Sequence, residues 1–268
     1  MIAMDFEIDT GWKLLPVGGD TGQAYMGIKA EEKLFLKRNS SPFLAALSVE
    51  GITPRLVWTK RIGNGDVLTA QEWLNGRTLK SSEMTLPSVA KLLYKIHHSD
   101  TLRKMLSRVG GEEVSPEKLI QSYQMELPHD LKIHPMLNEI LAKLKAEIKS
   151  MESVQPRVCH GDIYRKNWLL SDENRLYLVD WDMAVLADPA LDLSMLLCQY
   201  VEKKQWRAWL ENYGVVVTDE LIKRIEWYAL INFLQQTKRH HYQSRFHEMN
   251  QDILTLQSIY KNTNETYN

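Results

Sequence analysis

The chain is poor in the features that mark several large classes of protein. Only two of its 268 residues are cysteine, Cys159 and Cys198, and no CxxC pair or His/Cys cluster accompanies them. That excludes a disulfide framework and a structural zinc site. No stretch reaches the roughly 18 uninterrupted apolar residues of a spanning helix. Met1-Ile2-Ala3-Met4-Asp5 has neither a basic nor an apolar leader region, so no signal peptide is expected. Charge of one sign is also missing. Lys and Arg total 33 against 34 Asp and Glu, a formal net charge of -1, which argues against a general nucleic-acid or anionic-membrane binder. With 44% hydrophobic and 25% charged residues, the composition matches an average globular protein rather than a disordered, collagen-like or fibrous one. The expectation is a soluble cytoplasmic protein, long enough to bury a large core, with no membrane insertion and no direct nucleic-acid binding.

The first seventy-odd residues are β-rich. Ala24 to Lys29 and Leu34 to Lys37 flank the polar turn Ala30-Glu31-Glu32-Lys33, a hairpin pattern. Leu56 to Ile62 and Val67 to Trp73 flank Gly63-Asn64-Gly65-Asp66, and Asn-Gly is a strong hairpin signal because both residues tolerate positive φ. Between the hairpins, Pro42 to Glu50 has helical spacing. After Asn75-Gly76 the period changes to that of helices. Thr85 to Ile96 sets Val89, Leu92, Leu93 and Ile96 on one face, and Ser115-Pro116 is a helix start with a capping serine ahead of proline. Met136 to Met151 repeats the stripe, residues 219–260 read as helical, and a polar tail from Lys261 is expected to fray. Val158-Cys159-His160 and Leu176 to Val179 form an island of β character inside the helical part.

Polar residues concentrate in His160-Gly161-Asp162-Ile163-Tyr164-Arg165-Lys166-Asn167, and Asp180-Trp181-Asp182 follows at the end of the apolar run 176–179. Carboxylates at the ends of buried strands are costly unless they meet a cation or another partner. Two Asp and one Asn supply hard oxygen donors that suit Mg²⁺, which completes its shell with phosphate oxygens and water. Phosphoryl transfer needs a residue to deprotonate the attacking hydroxyl, ligands for the metal, and cations on the phosphates. In that chemistry Asp162 is the base, and Asn167 and Asp180 are metal ligands. Asp and Asn in loops are common turn formers. Yet four specified residues at roughly 5% usage each coincide only about once in 10⁵ positions, so the joint pattern favours chemistry.

The order His160-Gly161-Asp162-x-x-x-x-Asn167, Val179-Asp180-Trp181-Asp182 and Asp188-Pro189-x-x-Asp192-Leu193 resembles the aminoglycoside phosphotransferase and choline kinase superfamily. Within it, Ala24-Tyr25-Met26-Gly27, Gln71-Glu72-Trp73-Leu74, Asn167-Trp168 and Tyr177 to Asp182 are most similar to the CcrZ/YtmP branch of small kinase-like proteins of Gram-positive bacteria. The resemblance implies an α+β, bilobal protein-kinase-like fold, with a β-rich nucleotide-binding lobe and hinge over 1–75 and a mostly helical catalytic and substrate-binding lobe over 76–268. It implies ATP and Mg²⁺ as cofactors. By the same resemblance Asp162 is the catalytic base, Asn167 and Asp180 ligate metal, His160 supports the loop, and Asp192 braces it. Lys37, at the end of Leu34-Phe35-Leu36, holds the α/β-phosphates, with Glu50 as its ion-pair partner. Glu72-Trp73-Leu74 falls at the hinge that meets adenine. Gly18-Gly19-Asp20-Thr21-Gly22 either covers the phosphates with backbone N–H groups or is an ordinary hairpin turn, since its spacing is neither GxGxxG nor Walker A. Asp182 is either a further metal ligand or a backbone-bonding residue. Arg165 and Lys166 either steady a phosphate or face solvent.

Asp188-Pro189 follows Asp182 by only six positions, too short for the long activation segment with which a protein kinase docks a peptide. The acceptor is therefore expected to be a small-molecule hydroxyl. Near-neutral charge gives no sign of an acidic trench for polycationic aminoglycosides. Together with the narrower resemblance, it points to ribose, deoxyribose or a nucleoside, with a role in bacterial cell-cycle or DNA-replication control. A choline, amino-alcohol or aminoglycoside kinase is the alternative. Tyr200, Trp206, Trp209, Tyr213, Trp227 and Tyr228 either stack a base or cage an ammonium, or else form core. Lys238-Arg239-His240-His241 with Arg245 and His247 is either a contact surface or a solvated helix face. A regulator acting through a protein partner is the rival from another class. Cys159-His160 does not suit a nucleophile pair, because strand neighbours point to opposite sides.

Overall fold

The computed structural model describes residues 12–17, 24–63, 65–151 and 154–265. Along the chain come β1 (Lys13–Pro16), β2 (Ala24–Lys29), β3 (Glu32–Arg38), α1 (Phe43–Val49), β4 (Leu56–Arg61), β5 (Val67–Glu72) and β6 (Gly76–Thr78). Next are α2 (Pro87–His98), α3 (Asp100–Arg108), α4 (Pro116–Gln124), α5 (His129–Ile133), α6 (Pro135–Glu147), β7 (Arg157–Cys159), β8 (Trp168–Ser171) and β9 (Leu176–Leu178). The chain closes with β10 (Val185–Ala187), α7 (Ala190–Tyr200), α8 (Trp206–Tyr213), α9 (Asp219–Tyr242) and α10 (Phe246–Glu265). This is the expected α+β class, with an N-terminal antiparallel sheet and a mostly helical remainder. Among the described residues no helix is long and apolar enough to cross a membrane.

The chain forms two compact units. The first comprises Met1–Lys80, Asp100–Gly110 and Arg165–Met183, and the second comprises Ser81–Ser99, Gly111–Tyr164 and Ala184–Asn268. α3 and the segment carrying β8 and β9 belong to the first unit.

The first unit is built on a five-stranded antiparallel sheet ordered β1-β2-β3-β5-β4. Period-two alternation assigns its faces. Tyr25, Leu34, Leu36, Leu68 and Ala70 form a buried cluster, with Trp12 and Leu14 packed against it. The β2–β3 turn is tighter than the four polar residues suggested. Lys29 pairs with Glu32, leaving only Ala30 and Glu31 in the loop, and Ala30 takes φ 52° to close it. The second hairpin closes as its glycine requires, with Gly65 at φ 89° and its N–H donating to the Ile62 carbonyl. α1 buries Phe43 and Leu47, with Pro42 and Glu50 as its flanking caps. β6, β8 and β9 make a separate three-stranded sheet around the fully buried Trp168.

In the second unit, local chemistry sets the helix starts. α2 begins at Pro87 rather than at Thr85, because the residue before a proline is pushed towards extended backbone, and Leu86 sits at φ -64°, ψ 143°. Ser115 caps α4 by accepting from the Lys118 N–H, and Thr218 caps α9 by accepting from Leu221. The helical span 219–260 is two helices, broken where Ser244 turns at φ 56°, and the tail expected to fray stays helical to Glu265. The β-island divides as well: β7 pairs with β10, whereas β9 pairs with β8.

Five of the six aromatic residues singled out in the second half pack as core, and Tyr200 is half-buried. Trp206, Trp209, Tyr213, Trp227 and Tyr228 are all buried, and the Trp227 indole N–H donates to the Leu144 carbonyl at 3.1 Å. Buried aromatics bring large apolar area to a core, and burial leaves these five rings no open face for a ligand. The basic run on α9 is similarly engaged: His240 pairs with Asp252, His241 with Asp130, and the Lys238 ammonium donates to the Ser122 carbonyl.

One glycine is held by close approach rather than by φ. A Cβ on Gly76 would lie 2.3 Å from the Leu170 carbonyl oxygen, which is backbone of the paired strand. Gly76→Ala is therefore expected to lower stability by about 1–3 kcal/mol, the usual cost of overpacking. Urea unfolding of the variant against the parent measures it.

Candidate active site

β3 and β5 each give one face to the core and the other to a cavity of about 310 Å³ inside the first unit. Phe35 and Gln71 are cross-strand partners, and both line it. Lys37, two residues further along the same face of β3, lines it too. Glu72, Trp73 and Leu74 border it where β5 ends, and Leu44, Leu169 and Val179 add apolar wall. Gln71 is fixed by donating from Nε2 to the Pro54 carbonyl at 2.8 Å. The result is a largely apolar slot with charged groups at one side, the usual character of a cofactor or small-molecule site.

Those charged groups are Lys37, Asp180 and Asp182. The Lys37 ammonium donates to Asp180 Oδ1 at 2.7 Å and to Asp182 Oδ2 at 2.8 Å. The lysine side chain is 15% exposed and the carboxylates 48% and 46%, so the cation is the sheltered member. Burial pulls the Lys37 pKa down and is the largest single influence on it. The hydrogen bonds and charges of the two aspartates together outweigh burial, and the pKa rises above its ordinary value.

Trp181 explains why two carboxylates one residue apart reach one cation. Its indole N–H donates to the Leu178 carbonyl at 2.8 Å, and its buried ring meets Phe43 edge-on at 5.9 Å. With that side chain anchored inward, its two neighbours project from the turn. Asp180 adopts φ 66°, a left-handed conformation that costs a side-chain-bearing residue energy and that Asp tolerates better than most. Strain of this kind collects at functional sites. Asn167 is buried, and its backbone carbonyl accepts from the Val179 N–H at 2.8 Å, one residue before Asp180.

The other half of the motif belongs to the second unit. His160 and Gly161 donate backbone N–H groups to Asp192 at 2.7 and 3.0 Å, and the Asp162 N–H donates to His160 Nδ1 at 3.2 Å. Gly161 sits at φ 78°, which favours glycine at that position. Asp192 is fully buried. Burial is the largest influence and raises its pKa, but His97 and the loop N–H groups overcome it, and the carboxyl lies below its ordinary value. Cys159 lies deep inside with its thiol directed at the Ala187 and Asp188 carbonyls, and burial pushes its pKa well up. A neutral buried thiol is no nucleophile, which agrees with setting aside a Cys-His pair.

Of the expected site residues, Lys37, Glu72, Trp73, Leu74, Asp180 and Asp182 line one cavity. Glu50 is not the ion-pair partner of Lys37. It caps the C-terminus of α1, while the ammonium is held by Asp180 and Asp182. α1 ends after seven residues, so Glu50 is a terminal residue and not one on a long helix face. Gly18, Gly19 and Gly22 lie outside the described residues. Gln71, Phe35 and Trp181 were missed by sequence reasoning, although alternation along β3 and β5 marks the first two once the buried face is known.

A model of the Phosphotransferase enzyme family matches residues 28–226. The chain belongs to this family. Among curated relatives, Protein LicA of Haemophilus influenzae is 25% identical over 148 residues, covering 52% of this chain and 52% of that protein. The chain thus spans about half the length of the curated relatives it matches. Two solved structures share the fold of this phosphotransferase-family member. Choline kinase LicA from Streptococcus pneumoniae superposes with a TM-score of 0.69 at 17% identity, over 93% of this chain and 95% of that one. The GDP complex of aminoglycoside 2'-phosphotransferase-IIIa gives a TM-score of 0.69 at 14% identity, over 95% of each chain.

The raised Lys37 pKa fixes a pH dependence. The fold favours the ammonium form, so its contribution is complete below the unfolded value near 10.5 and fades as pH rises through the higher folded value. Lys37→Met should cost about 1 kcal/mol at neutral pH, since the partners are half exposed. The difference between parent and variant, read by urea unfolding, should hold constant from pH 7 to about 10 and shrink above 10.5.

Proposed function

We propose that this chain is an ATP- and Mg²⁺-dependent phosphotransferase acting on the hydroxyl of a small molecule. The observation that carries the reading is the convergence of Asp180 and Asp182 on the Lys37 ammonium at the wall of an apolar cavity. Membership of the phosphotransferase family supports it, as does the nucleotide in the structure of the aminoglycoside phosphotransferase relative.

In this reading the apolar walls receive the nucleotide base beside Glu72, Trp73 and Leu74, and Lys37 meets the phosphates. Oxygen donors already gathered around one cation suit a hard divalent metal. Asp180 and Asn167 would hold Mg²⁺, with Asp182 beside them. When bound, the metal neutralises and orients phosphate oxygens. Lys37, which holds both carboxylates here, would then serve the phosphates. Asp162 orients the acceptor hydroxyl and takes its proton as the oxygen bonds to the γ-phosphorus and ADP departs. Asp192 holds the Asp162 loop through two backbone N–H groups.

For the acceptor, the narrower likeness to the CcrZ/YtmP branch and the net charge of -1 support ribose, deoxyribose or a nucleoside. They also support a cytoplasmic role in cell-cycle or replication control, with or without a regulatory protein partner. The likeness to choline kinase LicA favours a second reading, with choline or another amino alcohol as the acceptor. The buried state of the aromatic rings on α8 and α9 speaks against a cage built from them.

ADP release from Mg-ATP, measured against ribose, deoxyribose, nucleosides, choline, ethanolamine and kanamycin, separates these acceptors. Asp162→Asn should reduce turnover about 10²–10⁴-fold with Mg-ATP binding intact. Mg-ATP at 100 Kd should stabilise the parent by about 2.7 kcal/mol, and Lys37→Ala should weaken that shift. Full turnover in Asp162→Asn would reject the assignment of the base.

A further inference from the structure

The loop around Asp162 is tied to a chain of buried groups that reaches two helices beyond Asp192. His97, near the end of α2, places Nε2 3.1 Å from Asp192 Oδ2 and Nδ1 2.7 Å from the Tyr213 hydroxyl on α8. All three side chains are essentially inaccessible, with exposures of 0% for His97, 1% for Asp192 and 2% for Tyr213. A carboxylate can only accept, so the His97 proton facing Asp192 is on Nε2. In the neutral ring Nδ1 then accepts from the Tyr213 O–H. Asp192 Oδ2 takes hydrogen bonds from both His97 and the His160 N–H, while Oδ1 takes that of Gly161. The His160 ring accepts from the Asp162 N–H. Two successive backbone N–H groups, those of His160 and Gly161, are therefore held by a carboxylate whose own orientation depends on His97, and the next is held by the His160 ring.

We propose that His97 and Tyr213 are positioning residues for catalysis, a hydrogen-bonded chain from Tyr213 through His97 and Asp192 that sets the backbone of residues 160–162 and so aims the Asp162 carboxylate. The proposal rests on reading Asp162 as the base. Its physical core is that a buried carboxylate with four or more acceptor directions is free to rotate unless its donors are fixed. Backbone donors on a segment without a helix or strand ladder of its own cannot fix it alone. A histidine on a helix, itself held from behind by a tyrosine, supplies the reference. Tyr213 in turn is seated by a near-parallel stack on Trp209 and an edge contact with Tyr94, so its hydroxyl has a defined direction. Small errors in the placing of a base cost large factors in rate, whereas nucleotide affinity does not depend on it.

Tyr213→Phe and His97→Gln are the test variants. The first removes one hydroxyl and keeps the packed ring; the second keeps a donor near Nε2. Two readouts apply to the full chain. Amide hydrogen exchange of the peptide spanning residues 158–164 reports the loop. Initial rates of ADP release from Mg-ATP, with choline as acceptor and with water alone, report catalysis. We expect exchange at least fivefold faster in Tyr213→Phe, with kcat down about tenfold and the KM for ATP within twofold. His97→Gln should recover more rate than His97→Ala. Unchanged exchange, or faster exchange with unchanged kcat, would overturn the proposal. Asp162→Asn is run beside them: if it retains turnover, the assignment of the base fails, while the exchange data still decide whether the chain holds the loop.

Discussion

One ammonium between two carboxylates organises the first unit. Lys37 is placed by the alternation of β3, which spends Leu34 and Leu36 on the core and leaves Phe35 and Lys37 on the cavity face. Asp180 and Asp182 are placed by a different device, an anchored tryptophan between them and a left-handed backbone at Asp180. Neither arrangement is cheap. The lysine is largely withdrawn from water, and two like charges are held close together. Each half is tolerable because the other neutralises it, which is why the Lys37 pKa rises despite burial. A cluster balanced in this way is well suited to exchange partners, with phosphate replacing carboxylate at the lysine and a divalent ion replacing the lysine at the carboxylates.

The second unit solves a separate problem with the same economy of charge. The segment His160-Gly161-Asp162 has no strand or helix of its own to satisfy its N–H groups. They are satisfied by Asp192 and by the His160 ring. A buried carboxylate at the start of α7 becomes the fixed point of a loop only because His97, and Tyr213 behind it, hold its orientation. The aromatic density of this half is thereby explained without a ligand. The rings form the packing in which the polar chain is embedded, with the N–H tips of Trp206 and Trp227 on carbonyls and the Tyr213 hydroxyl on His97.

Much of this was legible in the sequence, and unevenly so. Alternation and turn residues marked β2, β3, β4 and β5 because sheet faces repeat every two residues, and Ser115-Pro116 marked α4 because capping is local chemistry. The spacing Asp162-x-x-x-x-Asn167 with Asp180-Trp181-Asp182 carried the family. What sequence could not show was anything set by long-range contact. Glu50 was matched to Lys37 by position, but α1 is short and the charge is satisfied by residues 143 and 145 positions away. The role of Trp181 depends on a partner ring at Phe43. His97 lies just past the helical stretch 85–96 and carried no expected role, since nothing local distinguishes a buried relay histidine from an exposed one.

The most direct test is a crystal structure with a non-hydrolysable ATP analogue and Mn²⁺, using anomalous scattering to locate the metal. The account predicts the base against Glu72–Leu74, Lys37 turned to the phosphates, and a manganese peak bonded to the side-chain oxygens of Asp180 and Asn167. A nucleotide outside this cavity, or a metal elsewhere with Lys37 still holding both carboxylates, would contradict it.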